Sequence, residues 1–353
     1  MNINEKEETI DITSLIDFLS SLQKLNTSKS TEVYFRGQNQ SYGNTLPGIY
    51  RPGLLKHEEE LFRSFLVRDP VLFNVYSDGN TNFDRLALMQ HHGLPTRLLD
   101  LTRNPLVALF FAVSGENQHS GEVVLFSNRL NKDYLSELPI VEQQTLTTLL
   151  AINESHPVSA LQVVKSVFSD QIEVESSLVR LPLSAKEDIT KVLNKLYAKP
   201  KDEWIHLFEL ASSSTRSMID GFDENRPVVK LYHEIRRDIH DFTTDIDPLA
   251  FLVPKIVTPR VIDNRIKNQQ GLFLFTPFVD TSLTGFEQAT QNRLNLLRVT
   301  NGSKMVRFSI PCDSKADILA ELAQCGITED FIYPDHSHIA SSIKDKFTTT
   351  ENE

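Results

Sequence analysis

The sequence predicts an α+β fold: short strands between flanking helices, with a helical insertion in the middle of the chain. Three observations predict it. Short apolar runs bounded by Gly, Pro, Asn and Ser recur along the chain with the length of strands. Segments with apolar residues at helical spacing lie between them. From about residue 130 to 245 the character changes, and Leu, Gln, Ser, Glu and Lys recur with helical periodicity. The expected division is an N-terminal helix (1–30), a first half of the core domain (31–130), a helical insertion (131–245), a second half with a C-terminal strand and helix (246–347), and a tail (348–353).

The elements follow in order. Asp11 to Leu25 places Ile12, Leu15, Ile16, Phe18, Leu19, Leu22 and Leu25 on one helical stripe. Glu32 to Phe35 is a short strand that runs into Arg36-Gly37, and Gln38 to Gly53, rich in Gly, Pro, Asn and Tyr, is a loop. Glu58 to Val67 and Asn82 to His92 are helices. Glu58-Glu59-Glu60 reads as a solvated helix start, and Gly93 stands where a C-terminal cap belongs. Thr96 to Leu101 suits a buried strand. Asn104 before Pro105 starts a helix, because a capping side chain precedes a residue that lacks the orphan N–H. Leu106 to Val113 is apolar on every side, so that helix is buried.

Gly121 to Ser127 is a further strand. Asp188 to Tyr197 and Val229 to Phe242 are helices of the insertion, and strands resume at Phe251 to Ile256, Leu272 to Phe275 and Lys304 to Ile310. Ser314 to Gly326 is a helix with Ser314 as its cap, Asp317 in the capping-box position and Gly326 as its stop. The residues after Phe347 are expected to fray.

Composition limits the partners. The 353 residues carry a net charge of −11, which argues against an extended electrostatic grip on nucleic acid, though not against a local basic cleft. Arg51, Lys56, Arg63, Arg103 and Lys267 are the candidates for such a cleft. Cys312 and Cys325 read as two reduced thiols. The polar, acidic start MNINEKEETIDI has no apolar signal core, and no run approaches the roughly twenty apolar residues of a membrane helix. The expectation is a cytoplasmic protein with no membrane partner.

Three clusters carry candidate chemistry. In Tyr34-Phe35-Arg36-Gly37-Gln38, an Arg at a strand end beside Gly suits a phosphate or pyrophosphate. In Gln90-His91-His92-Gly93, the histidines fall in a last helical turn, as ligand contacts, acid–base groups or caps of the helix carbonyls. Arg97 and Asp100 follow in a Leu-rich strand and point to opposite faces; a structural pair that ties down neighbouring loops is as good a reading as a catalytic one. Thr96 and Thr102 suit a cap or a ligand equally. In Arg265 to Phe273, Gln269 and Gln270 precede Gly271 at the head of a strand, either to read amide or ribose groups or to satisfy a turn. There is no Walker loop, GxGxxG, GxSxG or CxxC pair. His336-Ser337-His338 with Asp335 is thin ground for a metal site, and no metal is expected.

These blocks together resemble the FRG domain family, named for Phe-Arg-Gly, here Phe35-Arg36-Gly37. QHHGLPTRLLDLTRNPLVALFFA, RIKNQQGLFLF and IPCDSKADILAELAQCGITEDFIYPD resemble its later blocks, so the likeness runs from about residue 31 to 345 with the helical segment as an insertion. Two departures stand out: His92 where the family usually has an aromatic, and Leu101 where it usually has Trp. The family occurs mostly in bacteria and phages, and its layout distantly resembles ADP-ribosyltransferases. That resemblance implies a mixed, split β-sheet core flanked by helices, NAD as a substrate and no metal. It implies Arg36, Gln269 and Asp100 as catalytic residues, with Arg36, Gly37, Gln38, His91, Gly93, Thr96, Arg97, Thr102 and Gln270 around the NAD. The implied role is a toxin-type effector of a toxin–antitoxin or anti-phage system, modifying nucleic acid (RNA favoured over DNA, and single strands over duplex) or protein. An antitoxin or chaperone would be its partner. The other reading is a nucleotide-binding sensor or interaction module without catalysis, which Gln in place of a catalytic Glu favours.

Overall fold

Eight segments form one mixed, open sheet. In chain order they are β1 (Glu7–Asp11), β2 (Val33–Gln38), β3 (Leu98–Thr102), β4 (Gly121–Ser127), β5 (Lys255–Val257), β6 (Gly271–Phe275), β7 (Thr300–Asn301) and β8 (Lys304–Ile310). The spatial order is β1-β8-β4-β2-β3-β6-β5, with β7 hairpinned onto β8. The β1–β8 pair is parallel and the other pairs are antiparallel. This computed structural model describes residues 6–25, 31–68, 81–115, 118–155, 170–199, 222, 225–237, 239–242, 246, 248–259, 264–276, 278–279 and 285–349.

The sheet is split near its middle. β2 pairs with β4 along its whole length, Val33↔Ser127 to Gln38↔Glu122, but meets β3 at Phe35↔Thr102 alone. β3 instead pairs fully with β6, from Leu98↔Phe275 to Thr102↔Gly271.

Thirteen helices flank the sheet among the described residues. They are α1 (Leu15–Lys24), α2 (Glu58–Arg68), α3 (Asn82–His91), α4 (Pro105–Val113), α5 (Ile140–Ser155), α6 (Asp170–Leu178), α7 (Leu183–Tyr197), α8 (Arg226–Ile235), α9 (Asn264–Asn268), α10 (Phe286–Asn295), α11 (Lys315–Gln324), α12 (Glu329–Ile332) and α13 (His336–Thr349). Alternation along β2 and β4 separates two faces. Phe35, Val123 and Leu125 pack with α4 and with Phe18, Phe308, Ile318 and Leu322. Tyr34, Val124 and Phe126 pack instead with Leu99, Leu272, Leu294 and Leu297. The largest core joins α3 and the helices of the 131–245 segment to β3, β5 and β6 through Phe83, Leu146, Ile189, Leu231, Leu98, Val257 and Phe273.

Helix α4 lies unusually close to the sheet. A Cβ on Gly37 would stand 1.8 Å from the Ala108 carbonyl oxygen, and one on Gly121 would stand 2.0 Å from that of Ala112. The helix starts as its sequence requires: Asn104 accepts from the Leu106 N–H at 3.0 Å, with Pro105 in the first turn.

Buried ion pairs fasten the 131–245 segment to the rest. Glu58 holds Arg97 at 2.6 Å and Lys186 at 2.6 Å, all three side chains buried. Glu175 pairs with Lys255, and Glu142 with Arg293 at 2.5 Å. Glu58 is thus no solvated helix start: two buried cations require it inside.

Other sequence expectations need correction. The N-terminal segment 1–30 holds a strand before its helix. EETID carries too many charges to read as one, but Glu7 spends its carboxylate on Arg298 and Arg307. The helix begins at Leu15, where Ser14 accepts from the Asp17 N–H. Thr96 and Arg97 precede β3 rather than form it. Phe251 belongs to a 3-10 turn, Pro248–Leu252, and the strand starts only after Pro254. Ser314 makes no cap bond, because a 3-10 turn, Cys312–Ser314, leads into α11. Thr348 and Thr349 are still helical; residues 350–353 of the expected tail lie outside the described residues.

Candidate functional site

The site grows from the split between β2 and β3. Past Phe35↔Thr102 no ladder bond joins these strands, so the Asp100 carbonyl lacks a backbone donor from β2. Arg36 supplies one, as its Nη1 donates to Asp100 O at 3.0 Å and lies 4.0 Å from Asp100 Oδ2. Its Nε donates to Gln38 Oε1 at 3.1 Å. Burial pushes the Arg36 guanidinium below its ordinary value, while Asp100 and Glu122 pull it back up. It stays a cation.

Arg36 is the centre of a polar chain that crosses the sheet. On one side Gln38 Nε2 donates to Glu122 Oε1 at 2.6 Å, Glu122 pairs with Arg307, and Arg307 Nη2 lies 2.9 Å from Glu7. On the other side Gln90 Nε2 donates to Asp100 Oδ2 at 3.0 Å, and Thr96 donates to Gln90 Oε1 at 2.8 Å. The Leu98 N–H closes the chain on Thr96 Oγ1 at 3.0 Å. β1, β8, β4, β2 and β3 are thereby linked through side chains as well as backbone.

The third cluster forms the adjoining wall. Gln269 follows the short helix α9, its N–H donating to Arg265 O at 2.9 Å, and Gln270 comes next with φ +47°. Thr102 Oγ1 donates to Gln269 O at 2.6 Å. Asn268 Nδ2 donates to Phe331 O at 2.8 Å and Gln269 Nε2 to Ile332 O at 3.1 Å, tying α9 to α12. Beyond them Tyr333 lies under the Arg265 guanidinium, 4.9 Å from the ring centre, and stacks on His338 at 4.8 Å and 25°. Burial, foremost, pushes the Tyr333 phenol up.

Two clefts open on these residues and share Arg36, Gly37 and Phe111. The smaller, about 210 Å³, is lined by Gln90, His91, Asp100, Thr102, Arg265 and Gln269 among others. The larger, about 880 Å³, takes Gln38, Tyr42, Tyr50, Arg51, Glu329, Tyr333 and His338. A volume of that order suits a nucleotide-sized ligand. Among the described residues, three arginines against two carboxylates line the pair of clefts, in a chain of net charge −11.

The structure therefore brings Arg36, Gly37, Gln38, His91, Asp100, Thr102 and Gln269 to one place. Gly93, Thr96, Arg97 and Gln270 do not line it. Arg97 is enclosed by Glu58, by the Tyr50 hydroxyl at 3.3 Å and by the Phe278 ring at 3.8 Å. Thr96 acts through Gln90, Gly93 ends α3 with φ +80°, and Gln270 is exposed. Gly37 is explained by the close approach of α4 rather than by a ligand. Of the candidate basic residues only Arg51 lines the clefts; Arg63 is paired with Glu59 at 2.8 Å, and Arg103 donates to Thr258 at 2.8 Å. The structure adds Glu122, Arg265, Tyr333 and His338 to the site. Arg265 and His338 stand in segments that the sequence singled out for another reason, Tyr333 in the block IPCDSKADILAELAQCGITEDFIYPD, and nothing in the sequence marks Glu122.

Residues 31–121, from just before β2 to the first residue of β4, match the model of the FRG domain. The chain carries an FRG domain. No curated protein and no solved structure matches the chain. The FRG match supplies Arg36, His91, Asp100 and Thr102, while Arg265, Gln269, Tyr333 and His338 come from outside it. Among the described residues no group of three or more His, Cys, Asp or Glu side chains could hold a metal ion, and no helix is long and apolar enough to cross a membrane.

Proposed function

We propose that the FRG-domain protein is an ADP-ribosyltransferase-type effector that consumes NAD in the paired clefts, in a bacterial toxin–antitoxin or anti-phage setting. The observation that carries this reading is Arg36. Its guanidinium stands at a split in the sheet, at the junction of two clefts, oriented by Gln38 and by the Asp100 backbone. Such a fork suits a pyrophosphate.

In the reaction the ribose C1′–nitrogen bond breaks, its electron pair leaves with neutral nicotinamide, and an acceptor oxygen bonds to C1′. The ribose passes through an oxocarbenium-like state, so positioning and nearby negative charge dominate the rate. Asp100, 65% exposed, supplies that charge. Gln269 has its amide nitrogen committed to Ile332 O, so its part is to hold the wall. The acceptor is nucleic acid, with single-stranded RNA favoured, or protein. An antitoxin or chaperone would cover the clefts.

Incubation of the protein with NAD labelled on the adenylate and nicotinamide halves tests the reading. Nicotinamide is released, and the adenylate label passes to RNA or protein of a bacterial lysate. Arg36→Ala removes both activities. The second reading, a nucleotide sensor without turnover, is favoured by the committed amide of Gln269. Tight NAD binding without any nicotinamide release would establish it instead.

A further inference from the structure

An acceptor hydroxyl or water must lose a proton as it attacks C1′, and Gln269 has no basic atom to take it. Asp100 is held by Gln90 and lies beside Arg36. The large cleft offers a different group. His338, at the start of α13, is on its wall, and Asp335 stands behind it. His338 Nδ1 lies 2.6 Å from Asp335 Oδ2. The other carboxylate oxygen of Asp335 accepts the Ser337 and His338 backbone N–H groups, each at 3.1 Å, and the Ser337 hydroxyl. These bonds hold the Asp335 carboxyl well below the usual carboxylate range.

A fixed carboxylate on Nδ1 selects the tautomer with its lone pair on Nε2. Stacking on Tyr333 fixes the plane of the ring. Among the described residues the acid recorded beside Nε2 is Glu329, at 3.9 Å, beyond hydrogen-bond length, so Nε2 can meet a molecule in the cleft. The charged and titratable groups around the ring are Asp335, Glu329 and Tyr333, with Arg265 on the Tyr333 ring.

We infer that His338, oriented by Asp335, is the general base that takes the proton of the acceptor hydroxyl or water in the large cleft, an assignment that rests on reading the clefts as an NAD site. The acceptor O–H bond breaks as oxygen bonds to C1′, the proton passes to Nε2, and the C1′–nitrogen electrons depart with nicotinamide. The imidazolium then releases its proton to solvent.

The test measures NAD binding by calorimetry and nicotinamide release in single turnover across pH, on the whole chain. His338→Gln should bind NAD within about twofold of wild type, release nicotinamide about 10²- to 10⁴-fold more slowly, and lose the acid limb of the pH–rate profile. Imidazole in solution should restore part of the rate to His338→Ala, which a merely structural role would not allow. Asp335→Asn should fall between wild type and His338→Gln. If wild type turns over and folded His338→Gln keeps its rate and pH profile, the base assignment is wrong and the NAD reading stands. If wild type binds no NAD, or binds it and never releases nicotinamide, the assignment and the transferase reading fall together.

Discussion

Arg36 Nη1 donates to the carbonyl oxygen of Asp100 at 3.0 Å, replacing with a side chain the ladder bond that β2 and β3 do not make. Lys has the charge but cannot reach Gln38 and Asp100 in the same fork. Arg36→Lys should therefore lower stability by about 2 kcal/mol, the scale of a hydrogen bond to a charged group. It should also lower nucleotide affinity at least ~10-fold, as two orienting bonds are lost. Denaturant melts and calorimetry on the same samples would show whether the two losses occur together; unchanged affinity would remove Arg36 from the binding site.

Gly37 predicts a different phenotype beside it. The 1.8 Å separation between its would-be Cβ and Ala108 O involves backbone, so no rotamer relieves it. Gly37→Ala should cost about 3 kcal/mol or more, at the upper end of overpacking. It should abolish soluble folded protein or lower its urea midpoint sharply. A Gly37→Ala protein of normal stability would mean that the helix moves away at little cost.

Glu58 serves two buried cations. Burial pushes its carboxyl up, but Arg97 and Lys186 outweigh burial and leave it below the ordinary carboxylate value. Its stabilisation is present above the unfolded-state pKa and is lost as pH falls through the folded one. Glu58→Gln strands Arg97 and Lys186 and should cost about 3–5 kcal/mol at neutral pH. Urea titrations at pH 7 would measure it, and a cost under ~1 kcal/mol would contradict the buried triad.

Glu173 gives the opposite pH sign. Burial, with Asp84 nearby, raises its carboxyl from 4.5 to about 7, although bonds from Thr81 and the Asn82 and Phe83 backbone oppose this. The folded protein thus holds the proton more tightly than the unfolded chain. The stabilisation is complete below about pH 4.5 and is lost as pH rises through about 7. The loss by pH 8 should be about 3 kcal/mol. Glu173→Gln should flatten this part of the profile and be more stable than wild type at pH 8, which melting curves at pH 5.5 and 8 would check.

The legible parts of the molecule share one property: their cause is local. Asn104-Pro105 announces α4 because a cap and a missing donor act within one turn. β6 is visible because its residues after Gly271 are apolar in sequence and buried in space, and β8 because Met305, Val306, Phe308 and Ile310 are. The family match reaches Arg36, His91 and Asp100 but not Gln269, which the fold alone brings to the same cleft. What stayed hidden depends on partners far along the chain. β1 reads as a charged terminus until Arg298 and Arg307, some 290 to 300 residues later, neutralise Glu7. Arg97 looks like a ligand group until Glu58 and Phe278 enclose it. Glu122 is one acid among many until β2 brings Gln38 and β8 brings Arg307 to it.

The FRG match covers the middle of the sheet, but neither wing. β3 finds its full-length partner only in residues 271–275, and β4 needs residues 304–310 on its far edge. During synthesis the Phe-Arg-Gly strand therefore leaves the ribosome long before the walls of its cleft exist, with exposed edges that favour misassembly. A nascent chain that ends before Tyr333 lacks part of the large cleft's wall, so the paired clefts are complete only once residues on both sides of the 131–245 segment have been made.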